Sequence, residues 1–308
     1  MTKRHNYLNN KDLLKEIHKS KNSFCEYETK EYSDYDFIID LPKPKKKGGK
    51  VKIEHPDSQE YKKQNDKRRK KCLTKDTITK AKAARAARLS TQKYEEAKKN
   101  SQTKVKRASF HIKPDEIPVE DLIIRFHTYE HIPLTPDRKD NPSTDLDYHE
   151  LINFTPFIHY KFVTLDGVVV GVREVGRSHS KNGAFSSTHG SITNNLAQMF
   201  MLLTDKYAQK HNWRGYTYVD EMKGSALLQL TDTGLQFNEA RSDNPFSFLT
   251  TLLKNAFLRV LLKEKKQQDI RDDLIIESGN TPSNTRQLDD DEFVIISSMK
   301  KHNTMDDL

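Results

Sequence analysis

Apolar residues recur at helical spacing in two parts of the chain. Near the N-terminus, Leu13, Leu14 and Ile17 lie on one side of the stretch NNKDLLKEIHK, and Asn9 or Asn10 is placed to cap it. This pattern predicts a helix over residues 7–19. From residue 192 onward, apolar positions again recur every three or four residues, as on one buried helical face. They are Ile192, Leu196, Met199, Phe200, Leu203 and Tyr207.

Two more helices are predicted before residue 273. Asp220 is placed to cap one that runs through Gly234. Asn244 and Pro245 begin the other, because asparagine is a good N-cap and proline suits the first helical position. Three helices joined by short turns can form an independent bundle. The predicted buried face of the last helix consists of Phe246, Leu249, Leu253, Phe257 and Val260.

A strand pattern lies between these helical regions. The runs LINFTPFIHYKFVTL and VVVGVREV are rich in β-branched and aromatic residues, and they flank Asp166 and Gly167. An Asp-Gly pair between such runs predicts a hairpin with a type I′ turn, since glycine accepts a positive φ. We expect a small antiparallel sheet here.

The composition and charge of the chain indicate a polyanionic partner. The net charge is +9, and the segment from Glu60 to Arg107 alone holds 18 Lys or Arg against 5 Asp or Glu. Clustered basic residues bind phosphates by releasing counterions. Helix propensity is high around AKAARAARL, but almost no apolar face exists, so this segment is not expected to bury itself. It is predicted to be a solvated helix, or a disordered arm that orders on nucleic acid; a simple tether is the alternative. The prolines, glycines and lysines of residues 42–56 indicate a linker.

Several classes of protein are not indicated. Cys25 and Cys72 lie far apart, so no disulfide framework is predicted and a reducing cytoplasm fits. No apolar run is long enough to cross a bilayer, and the N-terminus lacks the apolar segment of a signal peptide. The histidines show no HExxH or other ligand spacing, and the glycines form no phosphate-binding loop. We therefore expect a protein without catalytic residues, metal, cofactor or membrane contact.

Residues 193–266, TNNLAQMFMLLTDKYAQKHNWRGYTYVDEMKGSALLQLTDTGLQFNEARSDNPFSFLTTLLKNAFLRVLLKEKK, resemble the central conserved region of the sigma-seventy family. The resemblance is closer to the late-transcription sigma factors of T-even-like bacteriophages, including marine ones. HNYLNNKDLL, residues 5–14, is similar to the opening of those phage factors. The expected fold is mainly α with a small β insertion, built around a sigma region-two-like helical bundle. Its expected segments are an N-terminal helix packing on the bundle (1–20), a linker and partly disordered basic arm (21–107), the β-containing insertion (108–190), the bundle (191–275) and an acidic tail (276–308).

This resemblance implies a function in transcription initiation. Such factors bind the host's core RNA polymerase in the cytoplasm of the infected bacterium and direct it to late promoters through a −10-like element. In sigma proteins, the helix matching DEMKGSALLQLTDTGLQF docks on the largest polymerase subunit. The docking residues that this implies are Asp220, Glu221, Lys223, Gln229 and Asp232.

The next segment of sigma proteins holds an opened DNA strand with aromatic and basic side chains. Stacking of a base on an aromatic ring contributes about 1–3 kcal/mol. Helical spacing assigns Phe246 and Phe257 to the core, which leaves Phe248 as the better stacking candidate. Trp213 can stack on a base or close the end of a bundle, and the sequence leaves both open. The candidate DNA-binding residues are Phe248, Lys254, Arg259, Lys263, Lys265, Lys266, Trp213 and Arg214.

The C-terminal region differs from that of housekeeping sigma factors. No second helix-turn-helix is predicted after residue 273, so promoter recognition would depend on the −10-like element. In the phage class, a sliding clamp assists by binding a short acidic and hydrophobic motif. The candidate here is DDDEFVIISSM with Phe293, Val294, Ile295 and Ile296; a short strand or packed tail is the alternative. The main alternative function is a phage DNA-binding or structural protein that does not contact polymerase, and a metal-dependent nuclease is a third.

Overall fold

The protein has a mixed α and β fold. The computed structural model describes residues 8–42, 58–100, 106–132, 153–186, 190–284 and 286–287, and only the backbone of 45–47 and 50–52. The helices are α1 (Asn10–Asn22), α2 (Gln59–Cys72), α3 (Lys75–Asn100), α4 (Asn194–Ala208), α5 (Val219–Thr233) and α6 (Pro245–Glu277). The strands are β1 (Cys25–Tyr27), β2 (Phe37–Ile39), β3 (Lys45–Lys47), β4 (Lys50–Lys52), β5 (Ile123–His127), β6 (Phe157–Leu165), β7 (Val168–Ser178), β8 (Ser180–Lys181) and β9 (Ala184–Phe185).

The chain divides into two compact units. The first consists of residues 1–203 and 231–249, and the second of residues 204–230 and 250–308. These boundaries fall within α4, α5 and α6.

The hairpin predicted at Asp166 and Gly167 is confirmed. Strands β6 and β7 pair antiparallel, with Leu165 opposite Val168. Asp166 has a φ of 51° and Gly167 a φ of 77°. A type I′ turn requires a positive φ at both of its central residues, which explains the choice of these two residue types.

The sheet is larger than the small antiparallel one expected. Five strands lie in the order β1-β7-β6-β5-β2, and β2 pairs parallel with β5 while the other neighbours are antiparallel. Strands β1 and β2 come from the segment that was predicted to be linker and arm. Each has only three residues, too few to show an alternating pattern. The expectation of a mainly α fold with a β insertion was therefore too simple.

The basic segment buries one side, contrary to the prediction. Ala81 and Ala86 of α3 and Cys72 of α2 lie in a hydrophobic core with Phe126 and Phe162 of the sheet. Alanine side chains are small, so a helix without large apolar residues can still approach a sheet closely. Helix α2 and the first half of α3 thus pack on the sheet through small and polar side chains.

The N-terminal helix and its cap are confirmed. The Asn9 side chain accepts a hydrogen bond from the Lys11 amide at 2.9 Å, and Leu13 and Ile17 are fully buried. At the other end of the helix, the Thr193 amide donates to Ser20 Oγ at 3.1 Å. This contact attaches α1 to the residues that precede α4, within the first unit.

The last helix begins where the sequence predicts. Pro245 is its first residue, and Asn244 Oδ1 accepts a hydrogen bond from the Ser247 amide at 3.1 Å. Beyond its end, Gly279 has a φ of 81° and the Asn280 amide donates to the Ile275 carbonyl at 3.0 Å, a common way to close a helix. Four of the five predicted core positions are buried: Leu249, Leu253, Phe257 and Val260. The assignment of Phe246 to the core was wrong, because its side chain is 41% exposed.

Candidate functional site

The first turn of α5 presents acidic side chains to solvent. Asp220 is 95% exposed and pairs with Lys223 at 3.1 Å, and Lys223 also lies 3.7 Å from Asp205. The exposed face continues to Leu228, which is 67% exposed. The opposite side of the helix is buried through Met222, Ala226 and Leu230. Of the other predicted docking residues, Glu221 and Asp232 are exposed and Gln229 is half-buried.

Four of the predicted DNA-binding residues form two rows on α6. Lys254 and Lys265 are separated by about three helical turns and Arg259 and Lys266 by about two, so each pair shares a side of the helix. All four are exposed, and the buried residues Leu253, Phe257 and Val260 lie on the other side. The exposed side of α6 is therefore basic between Lys254 and Lys266.

One contact joins the predicted docking and DNA-binding residues. Lys263 Nζ on α6 lies 3.3 Å from Glu221 Oε1 on α5, and both side chains are more than half exposed. Such a pair contributes at most about 1 kcal/mol to stability. The acidic turn of α5 and the basic side of α6 are thus adjacent in the second unit.

Trp213 does not face solvent, so its prediction as a stacking residue is corrected. Its side chain is only 7% exposed, and its ring centroid lies 5.1 Å from that of Phe257 and 6.0 Å from that of Tyr207. It closes the end of a helical cluster, the other role considered above. Arg214 is exposed, and its Nε donates to the Gln209 carbonyl at 3.3 Å.

The burial of the two phenylalanines at the start of α6 is the reverse of the expectation. Phe248 is half-buried and its ring centroid lies 5.7 Å from that of Phe237, whereas Phe246 is exposed. Phe246 is therefore the more accessible ring for a base. The candidate clamp-binding residues Phe293, Val294, Ile295 and Ile296 lie outside the described residues.

A buried polar cluster was missed by sequence reasoning. Arg125 on β5 is 0% exposed, and its guanidinium lies between the rings of Tyr35 and Phe157, at 4.0 and 3.8 Å from their centroids. Its Nε donates to Nε2 of His159 at 3.0 Å, and the two residues are directly opposite each other on β5 and β6. The only sequence signal was a charged residue inside the apolar strand IIRFH.

The same side of the sheet holds a second polar group around Asp40. Asp40 contacts Nδ1 of His127 at 2.9 Å, Nδ2 of Asn238 at 3.1 Å and Nε of Arg241 at 2.8 Å. Burial acts against ionisation, but the hydrogen bonds from His127, Arg241 and Asn238 hold the pKa of Asp40 below its usual range. These contacts connect the end of β2 to residues 238–241, within the first unit.

A narrow gap, too small to hold a water molecule, lies beside this cluster and is lined by Lys21, Arg125, His127, Phe154, Thr155, Phe157, Phe237, Asn238 and Glu239. Its charged side chains are already satisfied by each other, since Lys21 Nζ lies 2.8 Å from Glu239 Oε2. The cluster thus links α1, the sheet and residues 237–239 within the first unit. Within the described residues, no group of three or more His, Cys, Asp or Glu side chains could hold a metal ion.

Three buried histidines predict a loss of stability in mild acid. Burial lowers the pKa of His127 and of His159, the latter well below its usual range, and lowers that of His179 to about 3. Unfolded histidines have a pKa of about 6.5, so the unfolded chain binds more protons below that pH. We therefore expect the free energy of unfolding to fall as the pH drops below about 6.5, by about 1.4 kcal/mol per pH unit for each such histidine.

Urea unfolding followed by circular dichroism between about pH 7 and 5 measures this slope, above the range where most carboxylates titrate. His179→Asn should reduce this slope by the equivalent of about one bound proton, because it removes one of the three buried histidines. Asparagine tolerates the positive φ at this position, so the variant should keep the fold. His211→Asn, at an exposed position, is the matched control substitution. A flat profile for the wild type would contradict the prediction.

Comparisons with known proteins found no match to this chain among family models, curated proteins or solved structures. None of the helices in the described residues is long and apolar enough to span a membrane.

Proposed function

We propose that this chain is a phage-type sigma factor that binds bacterial core RNA polymerase and directs it to promoters through a −10-like element. The observation that carries the proposal is the surface of α5 and α6 in the second unit. An exposed acidic turn, Asp220 and Glu221, lies beside a basic helix side, and Lys263 links the two. These helices correspond to the segments that dock on polymerase and hold the opened strand in the family that the sequence resembles.

The exposed side of α5 has the composition of a protein-binding surface. Leu228 is 67% exposed about two turns beyond the acidic residues, so the exposed side of α5 carries an apolar side chain as well as charged ones. Protein interfaces commonly combine an apolar centre with a polar rim. Docking through this side would leave Met222, Ala226 and Leu230 in their buried positions.

The exposed side of α6 is suited to an opened DNA strand. Lys254, Arg259, Lys265 and Lys266, all in the second unit, can follow the phosphate backbone of the strand. Basic side chains that follow the backbone are a usual part of single-strand binding surfaces. A sliding clamp remains a further proposed partner, through Phe293, Val294, Ile295 and Ile296.

A pull-down with core polymerases from several bacterial phyla tests the proposal. The full chain should retain at least one polymerase, and the triple variant Asp220→Lys, Glu221→Lys and Leu228→Lys should lose most of this binding. The variant reverses the charge and removes the apolar side chain on the exposed side of α5. All three positions are exposed, so folding, checked by circular dichroism, should be unchanged.

The matched control is Glu95→Lys, Glu96→Lys and Val170→Lys, which makes the same changes at exposed positions of α3 and β7. It should bind polymerase like the wild type. If no polymerase is retained by the wild type while DNA is bound, the protein is a DNA-binding protein that acts without polymerase. If both variants lose binding equally, docking does not depend on α5.

A further inference from the structure

Helix α2 has two chemically different sides. Tyr61, Asn65 and Cys72 are buried at 3%, 1% and 0% exposure. Two exposed acidic residues, Glu60 and Asp66, lie on this helix, but its opposite side consists mainly of exposed lysines. These residues, called the lysine face below, are Lys62, Lys63, Lys67, Lys70 and Lys71.

The arginines of α2 are occupied by the protein itself. Arg68 donates to the carbonyl of Asp40 at 3.1 Å and also to the carbonyl of His127, and its guanidinium lies 4.2 Å from the centroid of the Phe126 ring. Arg69 pairs with Glu130 at 2.6 Å. Arg68 therefore holds α2 on the sheet, and both arginines already have partners within the protein.

The arginines of α3 have the same role. Arg85 and Arg88 both contact the buried carboxylate of Asp36, at 3.3 and 2.6 Å. By contrast, the lysine face forms no ion pair with any described residue. Arginine and lysine thus have separate roles in this segment: the arginines fix the fold, and the lysines of α2 remain solvated.

We propose that the lysine face binds the phosphate backbone of duplex DNA without reading its sequence. From Lys62 to Lys71 the helix rises by about 14 Å at about 1.5 Å per residue. A duplex carries about one phosphate charge per 1.7 Å, so this length of DNA holds about eight. Lysine is a compact, flexible point charge, which suits backbone contacts whose geometry varies.

The absence of an accessible ring favours a duplex over a single strand. Tyr61 is the aromatic residue of α2, and it is buried on the sheet side. Proteins that bind single strands generally add aromatic stacking to their basic groups. This surface is independent of the proposed docking through α5, and it applies to a DNA-binding protein with or without polymerase.

The test is the salt dependence of binding of the full chain to a fluorescent duplex of random sequence. In the variant Lys63→Gln, Lys67→Gln and Lys70→Gln, the slope of log K against log salt should become less steep by about 3. This is about one for each phosphate contact that the variant loses. Its affinity at low salt should fall on the order of tenfold or more. All three lysines are exposed on one helix, so the circular dichroism spectrum should not change.

The matched control removes the same charge from the far end of α3, as Lys93→Gln, Lys98→Gln and Lys99→Gln. These lysines are exposed but lie beside Glu95 and Glu96. The control should retain the wild-type slope. Equal loss in both variants would show a general charge effect and overturn the proposal, as would an unchanged slope in the α2 variant.

Two more measurements separate this proposal from its alternatives. The α2 variant should lose affinity for the duplex but keep its affinity for a single-stranded oligonucleotide, which the proposed α6 surface binds; an equal loss for both would overturn the assignment to duplex DNA. In the polymerase pull-down, the α2 variant should behave like the wild type. Loss of duplex binding with retained polymerase binding would support the lysine face, and this result is distinguishable from failure of the sigma proposal.

Discussion

Asp36→Ala should lower the free energy of unfolding by about 3–5 kcal/mol, the cost of breaking a buried ion pair. The Asp36 carboxylate is fully buried and accepts hydrogen bonds from Arg85, Arg88 and the amide of Ile123, the last at 2.9 Å. These contacts hold α3, β2 and β5 together at one point. Removing the carboxylate leaves two cations and a buried amide without their partner. Urea unfolding at neutral pH measures the difference.

Two control variants test whether the loss of stability is specific to the buried contacts of Asp36. Asp36→Asn keeps an oxygen for the Ile123 amide, so it should cost less than the alanine variant. Asp76→Ala breaks the exposed pair with Lys80, where the side chains are 70% and 60% exposed, and should cost at most about 1 kcal/mol. Similar losses for Asp36→Ala and Asp76→Ala would mean that the buried contacts do not hold the first unit together.

Lys21→Met should cost about 3–5 kcal/mol for the same reason. Lys21 Nζ donates to Glu239 at 2.8 and 2.9 Å and to the Phe237 carbonyl at 2.6 Å. Burial alone would raise the pKa of Glu239, but the charges of Lys21 and Arg125 bring it to about 2. Without Lys21, a buried carboxylate loses its hydrogen-bonded cation. Urea unfolding at neutral pH again measures the loss.

The double variant Lys21→Met with Glu239→Met tests whether the loss of stability comes from the unpaired charge. It removes both charges and replaces them with apolar side chains, so it should recover much of the stability that the single variant loses. A double variant as unstable as the single one would show that packing around Lys21 matters more than the charge pair.

The helices and the hairpin were predictable because their signals are local. Asn9 and Asn244 cap the helices that follow them, and Asp166 with Gly167 forms the predicted turn. Each feature depends on the conformational preferences of neighbouring residues. The core of α6 was mostly predictable for the same reason, because helical periodicity identifies one side. The exception, Phe246, lies in the first turn of the helix, where periodicity gives the weakest indication of burial.

The candidate interaction surfaces were only partly predictable. The acidic turn of α5 and the basic residues of α6 were identified from the sequence, and the structure places them on exposed sides of adjacent helices. The basic character of residues 60–107 was also evident. Its division into arginines that bind the protein and lysines that face solvent was not, because Asp36 and Glu130 are distant in sequence from the arginines they contact.

The positions of α1, α4, α5 and α6, the hairpin turn and the distribution of charge could be inferred from the residues alone, whereas for α2 and α3 a helix and a disordered arm both remained open. Tertiary packing was needed to show that three-residue strands complete the sheet, that an alanine-rich basic helix packs on it, and that Arg125, His159, Lys21 and Asp36 are buried. The physical reason is the separation in sequence between the residues that interact. Helix caps and turns depend on residues a few positions apart, whereas a buried charge is stable only when a distant partner meets it, as Glu239 meets Lys21 across 218 positions.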